Sequence, residues 1–234
     1  MNLHAEPKGK KIWPKGVRGR SSRRSVRQTS RKEAHESEIY SKYASLYDRT
    51  FGKIFYKRIQ HVIASLNIPA GAKVLELGVG TGTSFPAYPD HCEVTGIDLA
   101  PEMLAEAREK IRKNDWSHLQ VMQMDALHLD FPNDSFNYVT AFHTVSVVPD
   151  PVQMLLEAKR VSRPGGQIVI INHFASDLPI IGSLTEALDP LTRHLGWRTN
   201  LRLDDFLETT DLSVEEVYKL SKSSLYTVIR GRVV

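Results

Sequence analysis

The strongest constraint on the fold is a short apolar run that passes straight into three alternating glycines. Residues Lys73 to Leu77 read as a strand, and the chain continues as Glu76-Leu77-Gly78-Val79-Gly80-Thr81-Gly82. Glycines in such a turn let the backbone approach a ligand closely and leave N–H groups free to meet it. The pattern predicts strand, loop, then helix.

The same alternation continues downstream. Residues 93–97 read as a second strand. Pro101 then opens a helix with the apolar stripe Met103, Leu104, Ala107 and Ile111, proline standing at the first helical position that its fixed φ favours. Residues 119–122 and 137–142 are the third and fourth strands. Asp150 is placed to cap a helix begun by Pro151 that turns Val152, Leu155, Leu156 and Val161 inward. Arg163-Pro164-Gly165-Gly166 puts Pro and Gly at the centre of a type II turn ahead of a buried strand over residues 167–171. Strands separated by helices make a parallel sheet covered on both faces.

Both ends depart from this rhythm. Ile39, Tyr43 and Leu46, then Phe51, Phe55, Ile59, Val62 and Leu66, fall at helical spacing. They predict two amphipathic pieces within residues 38–66, joined near residues 48–52, with Lys53, Lys57, Arg58 and His61 on other faces. Near the C-terminus, Ile181, Leu184, Leu188, Leu191 and Leu195 form a helical stripe and Asp204-Asp205 a helix start. Residues 214–220 and 225–230 are two strands close enough to pair antiparallel. The expected fold is α/β and Rossmann-like: a mostly parallel sheet with an antiparallel C-terminal strand and helices on both faces.

Charge divides the chain in two. The net charge is +4, but residues 1–32 carry eleven Lys and Arg against Glu6 alone, so this stretch is +10 and the remainder −6. Rich in Gly, Ser and Arg and poor in large apolar side chains, residues 1–37 are expected to be a basic disordered arm, and residues 38–234 the folded domain. Such an arm attracts anionic lipid head groups and nucleic acid by the same Coulombic force; an organellar targeting segment and a merely solvating tail are the other readings. A single cysteine, Cys92, excludes an intrachain disulfide and a multi-thiolate zinc site and fits a reducing compartment. The longest apolar stretch, Ile168 to Ile171, falls far short of the ~20 residues that span a bilayer.

Three acids turn the glycine loop into a chemical statement. A dinucleotide fingerprint requires G-x-G-x-x-G, but here the third glycine comes one residue early and Glu76 stands two residues before the first. An acid there repels a pyrophosphate and suits an ammonium group. Asp98 ends the second strand, sixteen residues past Gly82, where a carboxylate can accept from both hydroxyls of a ribose. Asp125 follows the third strand and can accept from the exocyclic amine of adenine. A ligand with ammonium, ribose and adenine but no phosphate is S-adenosylmethionine.

With these residues the chain resembles the class I S-adenosylmethionine-dependent methyltransferases. The matching segments are VLELGVGTG (74–82), GIDLAPEMLAEAREK (96–110), QMDA (123–126) and the RPGG turn (163–166). The resemblance implies that Glu76 holds the methionine ammonium, Gly78, Gly80 and Gly82 shape the methionine site, and Asp98 takes the ribose. It implies further that Asp125 and Ala126 take the adenine and that Leu99 and Met103 flank it; Tyr47, in a helical stripe with Tyr40 and Tyr43 that could equally pack in the core, is a further candidate for cofactor contact.

Other segments are similar to bacterial phosphatidylethanolamine N-methyltransferases: YASLYDRTFGKIF (43–55), VSVVPDP (145–151), INHF (171–174), LTRHLGWRT (191–199) and SSLYTVIR (223–230). Where amine methyltransferases acting on adenine or glutamine carry N/D-P-P-Y, this chain has Phe142-His143-Thr144-Val145-Ser146. The resemblance implies stepwise methylation of a phospholipid amine toward choline, by a cytoplasmic protein bound peripherally at the inner face of the membrane. Because an alkylammonium has no lone pair, a proton acceptor is needed, and Tyr43, His143 and His173 are the catalytic candidates. Tyr40, Arg193 and Arg198 are candidates for the substrate, the arginines (with Arg202) for its phosphate. The expected partners are an anionic membrane surface and the phospholipid, with nucleic acid second and no metal. A quinone-ring C-methyltransferase and an RNA methyltransferase anchored by the arm are the competing functions.

Overall fold

The computed structural model describes residues 52–174, 202–210, 212–221 and 224–234. The arm 1–37, the first predicted helical piece and the stripe from Ile181 to Leu195 lie outside the described residues.

In chain order the elements are α1 (Gly52–Ser65), β1 (Lys73–Leu77), a 3₁₀ turn (Phe85–Ala87), β2 (Glu93–Asp98), α2 (Pro101–Lys113), β3 (Leu119–Gln123), β4 (Phe136–Phe142), α3 (Pro151–Val161), β5 (Ser162–His173), α4 (Leu203–Thr210), β6 (Ser213–Tyr218) and β7 (Tyr226–Arg232). Among the described residues the strands form one seven-stranded sheet in the order β3-β2-β1-β4-β5-β7-β6. Neighbours from β3 to β5 are parallel, and β7 runs antiparallel to both β5 and β6. The expected Rossmann-like sheet with one reversed C-terminal strand is therefore present.

Period-two alternation assigns each strand residue to one of two cores. Val74, Val94, Val169, Ile171 and Val228 face α1 and α2, meeting Ile59, Val62, Ile63, Leu66, Leu104 and Ala107. Leu75, Leu77, Ile97, Val139, Ala141, Ile168, Ile170 and Ile229 face α3 and α4, meeting Met154, Leu155, Ala158, Val161 and Phe206. Strands buried on both faces explain the near-continuous apolar runs in the sequence. Asp150 caps α3 as expected, its side chain accepting the Gln153 N–H at 2.9 Å.

Three expectations require correction. No α-helix follows the glycine loop; Pro86 and Pro89 limit the chain to a 3₁₀ turn, since proline lacks the N–H that a continuing helix needs. Gly165 has the positive φ of a type II turn, +75°, but β5 starts earlier, at Ser162, which pairs with Phe136 on β4. In α3, Leu156 is 46% exposed, and Met154 and Ala158 turn inward instead.

The strand order reverses at β1, which has β2 on one side and β4 on the other. In an open α/β sheet, ligands bind outside the carboxyl ends of the strands at such a switch point. The glycine loop leaves β1 there.

Candidate active site

Glu76 sits at the carboxyl end of β1, level with Gly96 of β2 and Thr140 of β4, and is 2% exposed. Its Oε2 accepts from the Ser84 hydroxyl at 2.7 Å and the Tyr88 hydroxyl at 2.8 Å. Tyr88 in turn lies 2.9 Å from the Thr140 hydroxyl. Oε1 receives no bond from the described residues. Burial pushes the Glu76 carboxyl up to about 7 against the pull of its two hydroxyl donors. The same burial, with the adjacent Glu76 charge, drives Tyr88 well above its usual range. This is a buried acid with one oxygen held and one open, suited to a cation.

The loop after it is fixed from a neighbouring strand. Asp98, at the end of β2, accepts the Gly80 N–H on Oδ2 and the Ala100 N–H on Oδ1, each at 2.9 Å. Each carboxylate oxygen has a second lone pair, so Asp98 can still accept from ligand hydroxyls. Gly82 has φ +75°, and a Cβ there would collide with the Phe85 ring. Gly80 has φ +55°, but no atom lies within 4 Å of where its Cβ would stand. One glycine is required by packing; the other borders open space at the strand ends.

Asp125 follows β3 on the same edge. Its Oδ1 accepts the Leu127 N–H at 2.9 Å and its Oδ2 lies 3.5 Å from His128. Ala126 is buried beside it, whereas Leu99 is 59% exposed and Met103, in the first turn of α2, is half-buried. The structure thus aligns Glu76, Gly78, Gly80, Gly82, Asp98, Leu99, Asp125 and Ala126 along the carboxyl ends of β1 to β3.

His143 and His173 continue that edge at the ends of β4 and β5. His143 holds a left-handed backbone, φ 61°, while its N–H donates to Ile171 at 2.7 Å. Such a conformation in a non-glycine residue costs about 1–3 kcal/mol and fixes where the ring goes. Burial, then His173, then Arg58 pull the His143 imidazole down to about 3, and burial lowers His173 as well. Tyr226, the first residue of β7, pairs with His173, and its ring stands edge-on to both imidazoles at centroid distances of 4.7 and 6.2 Å.

Sequence reasoning missed Ser84, Tyr88 and Thr140 behind Glu76, and Arg58 and Tyr226 beside the histidines. The conjunction of a strand-end acid with hydroxyl residues eight and twelve positions later was the available signal for Ser84 and Tyr88. Arg58, expected off the apolar stripe, is half-buried. Tyr40, Tyr43, Tyr47, Arg193 and Arg198 lie outside the described residues; Arg202 is an exposed side chain 3.9 Å from Asp205.

Residues 75–170 match the family described as a methyltransferase domain. A phosphatidylethanolamine N-methyltransferase of Cereibacter sphaeroides is 40% identical over 195 residues, 83% of this chain and 95% of its own. The chain belongs to the class I S-adenosylmethionine-dependent methyltransferases. A demethylmenaquinone methyltransferase of Listeria welshimeri is 30% identical to this methyltransferase over 159 residues, 64% of this chain and 67% of its own. Among solved structures, a SAM-dependent methyltransferase from Aquifex aeolicus shares the fold with a TM-score of 0.63 at 20% identity, covering 83% of this chain and 98% of its own.

The cofactor of the methyltransferase is S-adenosylmethionine. The residues present fit it: the Glu76 oxygen to which no described residue donates suits the ammonium, and the space bordered by Gly80 suits close backbone approach. No group of three or more His, Cys, Asp or Glu among the described residues is placed to hold a metal ion.

Proposed function

We propose that the protein methylates the amine of phosphatidylethanolamine, and of its mono- and dimethyl forms, toward phosphatidylcholine. The observation that carries this reading is the likeness to the Cereibacter sphaeroides phosphatidylethanolamine N-methyltransferase, which runs over 95% of that protein. Likeness to the quinone-methylating relative spans 67% of its length and supports a quinone-ring C-methyltransferase as the second reading.

In this proposal Glu76 takes the cofactor ammonium, Asp98 the ribose hydroxyls, and Asp125 with Ala126 the adenine edge. The bound cofactor supplies an electrophilic methyl group on a sulfonium sulfur. What the protein must add is alignment, exclusion of water and removal of one proton from the substrate ammonium. His143, held down to about 3, is too weak a base for that proton and instead accepts a hydrogen bond that orients the amine. His173, less deeply buried at the end of β5, is the proton acceptor of this scheme. Tyr226 packs its ring against both imidazoles and holds them in place.

The proposal extends to an anionic membrane surface, approached through the basic arm. The apolar stripe of α1, including Ile59, Val62, Ile63 and Leu66, is buried in the domain core, so this helix supplies no greasy face from those residues. No helix among the described residues is long and apolar enough to cross a membrane.

Purified protein incubated with methyl-labelled cofactor and vesicles, a demethylated quinone or RNA tests the reading. Label in mono-, di- and trimethylated phosphatidylethanolamine is the expected result. Label confined to the quinone or to RNA would overturn it.

A further inference from the structure

We propose that Arg58, braced on the ring of Tyr226 beside His143 and His173, binds the phosphodiester anion of the substrate. The inference rests on the phospholipid reading above and adds the residue that selects a charged head group.

The observation is a half-buried arginine with no carboxylate partner among the described residues; Arg108 and Arg163 also have none there, but both are exposed. Arg112, Arg160, Arg202, Arg230 and Arg232 each stand within 4 Å of a Glu or Asp carboxylate. Arg58 has no such partner among the described residues, although it is half-buried and its Nη1 is sealed from solvent. That nitrogen donates to none of the described residues. A buried charged donor left unsatisfied is costly, so a protein that keeps one has a use for its missing acceptor.

The surroundings define that acceptor. The guanidinium carbon lies 4.8 Å from the centroid of the Tyr226 ring, a cation–π contact that holds the planar group in place. The same ring touches His143 and His173, so all three groups gather where β4, β5 and β7 end together on the ligand edge. Burial disfavours the charged form of both imidazoles, so Arg58 brings the positive charge to this cluster. One planar cation among neutral groups able to donate or accept suits a singly charged anion with several oxygens, which a guanidinium grips through two parallel N–H bonds. A phosphodiester meets that description and a neutral quinone ring does not. In an ethanolamine head group the amine follows the phosphate by two carbons, so an anion held by Arg58 keeps the amine next to the histidines.

The test uses the full chain, with Arg58→Gln and Arg58→Lys, and dimethyl phosphate as the minimal phosphodiester. Saturable movement of the His143 or His173 imidazole resonances in wild type, its loss in Arg58→Gln and about tenfold weaker binding in Arg58→Lys are expected. With phosphatidylethanolamine vesicles, KM should rise roughly ten- to a hundredfold in Arg58→Gln and kcat change much less, the pattern of a lost binding contact. Cofactor affinity, by calorimetry, should stay within about twofold. Three results would each overturn the proposal: wild-type resonances that ignore dimethyl phosphate, variants that bind it as wild type does, or a collapse of cofactor affinity in Arg58→Gln, which would give the guanidinium to the cofactor carboxylate. If wild type binds dimethyl phosphate through Arg58 yet methylates no phosphatidylethanolamine, the anion site stands and the phospholipid reading falls.

Discussion

Asp98 at the end of β2 accepts the backbone N–H of Gly80 at 2.9 Å, so an acid on one strand holds the glycine loop that leaves the next. The Asp98 carboxylate therefore has two duties, shaping the loop and, in the proposed function, receiving the ribose. The second depends on the first, because the Gly80 and Ala100 amides set the direction of its remaining lone pairs.

Asp98→Ala should lose both duties at once. Each hydrogen bond to a charged group is worth about 1.5–3 kcal/mol, so cofactor affinity should fall at least a hundredfold, with some loss of thermal stability from the freed loop. Asp98→Asn keeps one acceptor oxygen and should lie between. Calorimetric titration of the two variants checks this, and an unchanged dissociation constant for Asp98→Ala would remove the residue from the cofactor site.

With Glu76 as the proposed partner of the cofactor ammonium, cofactor binding should depend on pH. Its folded-state value, about 7, lies above the ordinary 4.5, so near neutrality the ligand-free protein still holds the proton in a large fraction of molecules. A bound ammonium favours the carboxylate and expels that proton. Affinity should therefore rise from about pH 5.5 to 7 and level off until the ligand's own amine, near 7.7–8.0, begins to lose its charge. For the protein alone the sign is opposite: stability from this group is full below 4.5 and declines as pH rises through 7. Titrations in buffers of different ionisation heat would count the released proton; equal affinity at pH 5.5 and 7 contradicts the role of Glu76, and Glu76→Gln should flatten the profile.

How far the sequence can be read is shown by particular residues. Strand positions were visible because β1, β2, β4 and β5 are buried on both faces, which forces apolar runs, and the order Glu76, Gly78, Asp98, Asp125 marks successive strand ends by chemistry alone. The missing helix after Gly82 was misjudged because Pro86 and Pro89 outweigh the spacing of the loop. The surroundings of Arg58 are not legible in its helix because periodicity locates a face but not a neighbour; the ring that covers it, Tyr226, lies 168 positions away and reaches α1 only when β7 pairs with β5. The Thr140 hydroxyl behind Tyr88 was invisible for a related reason, since it comes from β4.

Two glycines of the same loop should separate stability from binding. In Gly82→Ala the new methyl meets the buried Phe85 ring and the backbone must hold φ +75°. Overpacking and left-handed strain together should cost about 2–4 kcal/mol, seen as a lower midpoint in urea. Gly80→Ala, with φ +55° and open space around the methyl, should cost about 1 kcal/mol of stability while weakening the cofactor at least tenfold by intruding where it would lie. Equal effects of the two changes on both measurements would contradict this division of labour.

The last prediction concerns the arm. Residues 1–32 carry a net +10, and the rest of the chain is −6, so a chain beginning at residue 33 reverses the sign of the protein's charge. Each basic residue near an anionic membrane contributes about 1 kcal/mol, an attraction screened over roughly 10 Å at 0.1 M salt. The buried stripe of α1 provides no compensating apolar anchor from Ile59, Val62, Ile63 and Leu66. Full-length protein should therefore float with anionic vesicles at low salt, release as salt is raised to about 0.5 M, and leave neutral vesicles unbound, whereas the chain from residue 33 should bind neither. Turnover of detergent-dispersed phosphatidylethanolamine, which needs no charged surface, should survive the truncation, because the residues assigned to the cofactor and to the head group all lie beyond residue 33. Flotation of the shortened protein with anionic vesicles as strongly as the full chain would show that the domain itself carries the membrane contact.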